Sequence, residues 1–200
     1  MQPNIDIGEA LRRGFELYKE NITTLMLATL LATIISFVSV FILAGPMFAG
    51  VIMLTLALVD KKQPKPDIGA IFKGFDVFLP SLVFMILLLV ATFVGQLILG
   101  LFPLIGFFTS TLYGMALSTV VMFGLFYIAD KGMDVVAAIQ KSYEVVKSNF
   151  WIFLGLNIVA QVVSSLGVIA CIIGIIVTLP MYYCTIAVVY RDLHPASNAG

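Results

Sequence analysis

Residues 21–59, 77–129 and 148–190 contain no Asp, Glu, Lys or Arg, and these stretches run to 39, 53 and 43 residues. A helical bilayer crossing takes ~20 apolar residues, so each stretch holds two crossings and hardly three. Turn signals fall inside each one: Ala44-Gly45-Pro46 in the first, Gly100 to Pro103 with Gly106 in the second, and Ser164 to Gly167, on through Gly174, in the third. The pattern predicts three helical hairpins, with helices near 22–43, 46–59, 79–100, 104–129, 149–169 and 172–190, the second of them short. With 61% hydrophobic and only 11% charged residues, too little polar surface remains to coat a water-soluble particle. Lipid is the expected solvent.

All 11 Lys and Arg residues fall before, between or after the hairpins. If every hairpin crosses and returns, the charged segments share one face. Basic loops are poorly translocated, so the face with Arg12, Arg13, Lys61, Lys62, Lys65, Lys131, Lys141 and Arg191 is expected to be cytoplasmic, with both termini inside. The first apolar run begins near Ile22, after a mixed-charge segment over 6–20, and no cleavable signal peptide is expected. The net charge of zero gives no support to a nucleic-acid partner or a strongly basic lipid-binding patch.

The charged segments repeat. Ala10-Leu11-Arg12-Arg13-Gly14-Phe15-Glu16-Leu17 recurs as Ala70-Ile71-Phe72-Lys73-Gly74-Phe75-Asp76-Val77 and as Ala138-Ile139-Gln140-Lys141-Ser142-Tyr143-Glu144-Val145. The shared pattern is small, aliphatic, variable, basic, small, aromatic, acidic, aliphatic. Asp6, Asp67 and Asp134 lie just upstream, placed to cap a helix, and Asn21 and Asn149 lie just downstream of two copies. Apolar positions at helical spacing predict an amphipathic interfacial helix before each hairpin. The fold class expected is thus an all-α integral membrane protein: one domain over 1–200, six transmembrane helices in three parallel hairpin repeats (5–60, 66–130, 133–192), and a flexible tail over 193–200. Parallel repeats are related by an axis along the membrane normal.

The outgoing helices end on Asp60, Asp130 and the Arg191-Asp192 pair. A carboxylate at a helix C-terminus opposes the helix dipole and calls for compensation. Arg13, Lys73 and Lys141 are the candidate partners in a salt-bridge network. The sharper alternative is a ring of acids at a pore mouth.

No ionisable group is predicted within the hydrocarbon core, which removes the usual elements of proton relays and ion-coupled transport. The polar residues that remain gather on the ingoing helices: Thr29, Thr33, Ser36, Thr92, Gln96, Asn157, Gln161, Ser164 and Ser165. They either bond between helices or line a path for a neutral solute or lipid headgroup. In the repeat register Ser36, Gln96 and Ser164 are equivalent. Gly106, Ser110, Gly114 and Ser118 form a small-residue stripe on the fourth helix, expected to be a packing seam. Trp151, Tyr18 and Tyr143 are expected as interfacial anchors, and Phe102, Phe107 and Phe108 as anchors of a far-side turn.

Signals of chemistry are missing. The single histidine, His194, has no second histidine or cysteine cluster near it, so common metal sites are not expected. Cys171 and Cys184 are 13 residues apart, ~20 Å along a helix, too far for a disulfide and in no zinc spacing. There is no Gly-x-Ser-x-Gly setting and no phosphate-cradling glycine loop before a lysine. No cofactor is expected, and the chain does not read as an enzyme.

Gly45-Pro46-Met47-Phe48-Ala49-Gly50, Phe72-Lys73-Gly74-Phe75 through Leu79-Pro80, Asn149-Phe150-Trp151-Ile152-Phe153, Thr178-Leu179-Pro180 and Tyr190-Arg191-Asp192-Leu193 together give nearly the whole chain a resemblance to a known group. It resembles a family of largely uncharacterised bacterial integral membrane proteins, related to the membrane domain of some glycerophosphodiester phosphodiesterases. Such proteins show an Ile-Pro-Gly-type turn between the third and fourth helices, where this chain has Phe102-Pro103-Leu104-Ile105-Gly106. The resemblance implies a bacterial inner-membrane module linked to envelope maintenance, with no active-site residue to carry over. The leading expectation is therefore a non-enzymatic envelope scaffold or homeostasis factor whose partners are membrane lipids, other membrane proteins or a second copy of itself. The rivals are a small channel or facilitator for neutral or zwitterionic solutes around Thr33, Gln96 and Gln161, and a lipid-binding or lipid-translocating protein with a groove beside the fourth-helix stripe.

Overall fold

In the computed structural model, residues 5–101, 106–165 and 171–195 are described. The expected turns over 102–105 and 166–170, and the tail over 196–200, lie outside them. The described residues are helical, without strands: α1 (Ile7–Glu20), α2 (Ile22–Val38), α3 (Ala44–Val59), a 3-10 helix (Ile68–Val77), α4 (Phe78–Leu99), α5 (Gly106–Val120), α6 (Gly124–Lys131), α7 (Val135–Ser148), α8 (Phe150–Ser165) and α9 (Cys171–Leu193). By length and composition Ile68–Leu99 and Gly106–Lys131 are long and apolar enough to cross a membrane. The count rises to four if each bent pair, α1 with α2 and α7 with α8, is one span; α3 is a shorter apolar helix.

Two of the three signature segments form helices that turn a corner. Asp6 caps α1 by accepting from the amides of Gly8 and Glu9, and Asp134 caps α7 through the amide of Val136. Asn21 and Asn149 end these helices in non-helical geometry. The chain then bends by 89° into α2 and by 106° into α8. In the middle copy Asp67 makes no side-chain cap, the segment is a 3-10 helix, and it runs on into α4 as one 32-residue apolar stretch. The repeat register puts Ser81 where the others have asparagine, and its hydroxyl bonds back to Phe78. The stop signal is missing, so the corner is missing.

The first hairpin departs from its expected bounds. Ala44-Gly45-Pro46 opens α3 and is not a turn; the turn spans 39–43. Proline is tolerated in a first helical turn, where its missing amide hydrogen has no intrahelical partner to lose. Gly45 is needed for closeness: a Cβ there would lie 2.4 Å from the carbonyl oxygen of Ser81. The 104–129 helix is also broken, at 121–123, where the Ser142 hydroxyl donates to the Val120 carbonyl at 2.6 Å and accepts from the Phe123 amide at 3.3 Å.

The outgoing helices form the centre. Nearly all of α3, residues 124–129 of α6 and residues 184–190 of α9 are buried, and α3 packs on both α6 and α9. Phe123, Phe126, Tyr127, Phe153 and Tyr190 fill one core, while Leu25, Met47, Leu54 and Cys184 fill a second. The small residue of each signature segment docks on this centre: Gly14 against Thr185 of α9, Gly74 against Pro46 and Gly50 of α3, and Ser142 against the α5–α6 break. Tyr18, expected at an interface, is 7% exposed in the second core. Its ring faces inward on α1, beside the buried Cys184 thiol. Leu193 still belongs to α9 and His194 packs on Tyr190, so the expected tail begins later than 193.

Candidate functional site

The three inner helices converge at their charged ends on one guanidinium. Arg191 donates through Nε and Nη2 to the two oxygens of Asp60, both at 2.8 Å. It also donates through Nη1 and Nη2 to those of Asp130, at 2.9 and 2.8 Å. The Tyr190 hydroxyl donates a further bond to Asp130 at 3.1 Å. Arg191 is 10% exposed and Asp60 9%. Asp130 thus accepts from both neighbours in α9, through two bonds from Arg191 and one from Tyr190. Burial opposes the charge on Arg191, and its bonds to Asp130 and Asp60 raise its pKa regardless. Only a planar fork with donors on several edges can serve two carboxylates in this way.

Next to this hub Arg13 and Asp192 form a two-bond bridge at 2.8 and 3.0 Å with both side chains more than a third exposed. Lys141, expected to reach the acids of the outgoing helices, pairs with Glu144 on its own helix at 3.0 Å. Lys73 faces a cavity of about 220 Å³ that Asp130 and Arg191 also line. The symmetric scheme of three bases on three helix ends thus gives way to one central arginine, because Arg191 sits on an inner helix and reaches both acids from within. His194 stacks on Tyr190 with centroids 5.2 Å apart, and its Nε2 lies 3.1 Å from the Tyr127 hydroxyl. Burial first, then the charge of Lys131, hold its imidazole below its usual pKa.

Deeper in the bundle Asn157 is fully buried and fully satisfied: Nδ2 donates to the hydroxyls of Ser118 and Thr119, both at 3.0 Å, and Oδ1 accepts from Tyr182 at 3.2 Å. Gln161 adds a 3.3 Å bond to Ser118. This network ties α8 to α5 and α9. The other polar positions stay apart. Thr33, Ser36 and Thr92 each donate to the carbonyl four residues earlier, while the buried hydroxyls of Thr29 and Ser164 have no partner. Among the described residues no hydrogen bond links Ser36, Gln96 and Ser164. Thr33, Gln96 and Gln161 are all exposed on different helices.

The fourth-helix stripe divides. Gly106 lies close under Leu99 and Gly100, Ser110 is buried, and Ser118 belongs to the Asn157 network, but a Cβ on Gly114 would meet nothing within 4 Å. Gly95 of α4 also gives close contact with α5, carrying the Tyr113 ring against it. An apolar cleft of about 740 Å³ opens elsewhere, between the 39–43 turn and the face of α4 that carries Leu82, Met85, Leu89, Thr92 and Gln96.

Among the described residues no group of three His, Cys, Asp or Glu side chains could hold a metal. No known protein family, curated protein or solved structure matches the chain.

Proposed function

We propose that this is a non-enzymatic, multi-pass protein of the bacterial inner membrane, an envelope scaffold or homeostasis factor that works through lipids or partner proteins. Its six membrane segments form three parallel hairpins with the Arg191 end at the cytoplasm. The resemblance to membrane modules attached to some phosphodiesterases belongs to this proposal. The threefold plan is supported by the signature segments, since the second and third dock their small residue on the outgoing helix of the preceding unit, and the first docks on α9 of the third and closes the ring.

The observation that carries the reading is the fate of the membrane polar groups. Asn157 meets all its bonding needs inside the bundle, while Thr33, Gln96 and Gln161 face outward on separate helices and do not converge on a common path. A facilitator for a neutral solute needs such groups in series along one passage. The large apolar concavity opens sideways, toward lipid. Its turn is suited to hydrocarbon, because the amides of residues 39–44 all find acceptors, those of 39–41 on carbonyls at the end of α2 and those of 42–44 within the turn, that of Leu43 on the Ser39 hydroxyl. At ~1.5 Å per residue α2 and α3 are ~25 Å long, short of a ~30 Å hydrocarbon core. The first hairpin therefore ends below the far surface and leaves a notch that acyl chains fill.

Proteoliposome flux tests this reading. Release of entrapped glycerol or glycine betaine is expected at the rate of protein-free vesicles. Saturable release that Asn157→Leu or Gln161→Leu abolishes would establish the facilitator instead.

A further inference from the structure

The pattern of ion pairs leaves two cations over in one place. Arg13 has Asp192 and Lys141 has Glu144, but Lys73, at the same position of the repeat, has no ion-pair partner among the described residues. The acid at the end of its neighbouring helix, Asp60, is held by Arg191. Lys62, on the loop after α3, is also without an ion pair, and it lines the same cavity of about 220 Å³ with Pro66, Lys73, Asp130 and Arg191. Asp130 and Arg191, the other charged residues lining it, are already paired, so the two ammonium groups leave its lining net positive. The adjoining hollow on the other side of Lys62 adds Lys61 and Lys65 against the single acid Glu20.

We propose that Lys62 and Lys73 bind a phosphate group in this cavity. Lysine is a common phosphate ligand, and neither ammonium here has to break an existing pair to act as one. The space is smaller than the ~300–1,000 Å³ of sites for drug-sized ligands, and suits a phosphate with a small substituent. Phe72, Phe75 and Phe78 stack at centroid distances of 6.4 and 6.1 Å, because a 3-10 helix eclipses every third residue. Phe72 and Phe75 are exposed, an apolar ladder on the face of this helix next to the one that carries Ala70 and Lys73 to the cavity. That juxtaposition is complementary to an anionic glycerophospholipid, headgroup in the cavity and chains along the ladder. A free phosphate ester shares the headgroup chemistry. The inference rests on the membrane reading only for the source of the phosphate.

The test uses the full chain in neutral detergent, titrated with phosphatidylglycerol, with diacylglycerol of the same chains, and with inorganic phosphate and glycerol 3-phosphate. Phosphatidylglycerol is expected to bind well above diacylglycerol. K62Q/K73Q is expected to weaken it about thirtyfold, at ~1 kcal/mol for each lysine. K62R/K73R is expected to retain it, and K19Q/K147Q, which removes the same charge elsewhere, to leave it unchanged. Displacement by either soluble phosphate assigns the site to a free ligand, and binding of the lipid alone assigns it to a headgroup. Equal binding of diacylglycerol, or an equal loss in K19Q/K147Q, overturns the proposal. Unfolding midpoints confirm that each variant folds, and K73Q alone serves if the double variant does not. Solute flux in the preceding test would leave this result untouched, so the two readings fail separately.

Discussion

Arg191 and Asp192 are neighbours in the chain, and both form two-bond ion pairs, yet their surroundings are opposite. Arg191 points inward, 10% exposed, and joins the ends of α3, α6 and α9; Asp192 points outward and joins only α1 to α9. The first is a junction that α3, α6 and α9 share, and the second is a local clasp. Burial decides their importance: water compensates a broken exposed pair, whereas a buried pair that loses one member leaves an unpaired charge.

Arg191→Met breaks the comparison most sharply. It leaves two carboxylates facing each other with little water, and a loss of about 3–5 kcal/mol is expected, read as a large drop in thermal midpoint in detergent. Arg191→Lys should recover only part of this, since an ammonium cannot serve both acids bidentately. The inner helices depend on close approach as well as charge. A Cβ on Gly50 would lie 1.7 Å from the Ile71 carbonyl oxygen, so Gly50→Ala should cost about 1–3 kcal/mol, while Gly114→Ala on the open side of α5 should cost nothing measurable. Asp192→Asn should cost at most about 1 kcal/mol, and the cost should shrink with added salt.

The smallest expected effect is one of pH. His194 has a folded-state pKa below its unfolded value, so its contribution to stability is present above the unfolded value near 6.5 and is lost as pH falls below that toward the folded pKa. Midpoints measured downward through this window should decline in the wild type. The decline should be shallower in His194→Gln.

The sequence made the helical, lipid-compatible character legible, because charge-free stretches and helical periodicity are local properties. Asp6 and Asp134 were legible as caps for the same reason. The 39–43 turn was not: Ala44-Gly45-Pro46 reads as a turn until the backbone of Ser81 is known to need the space beside Gly45. The break at 121–123 depends on a hydroxyl supplied from Ser142, some twenty positions later, and no local signal marks it. In the candidate site, Arg13 and the helix-end acids were legible as members of one network, but that Arg13 pairs with Asp192 was not. Nor was the capture of both Asp60 and Asp130 by Arg191, since it requires three helix ends to meet. One cue was present, an arginine where the other outgoing helices end on an acid.

The central claim is that three hairpins enter from one face and leave every charge there. Cysteine accessibility tests it directly, in cells, with Cys171 and Cys184 replaced by alanine. Gly8→Cys and Gln63→Cys should label only from the cytoplasmic side, and Leu101→Cys only from the opposite side. Labelling of Gly8→Cys and Leu101→Cys from the same side would contradict the account.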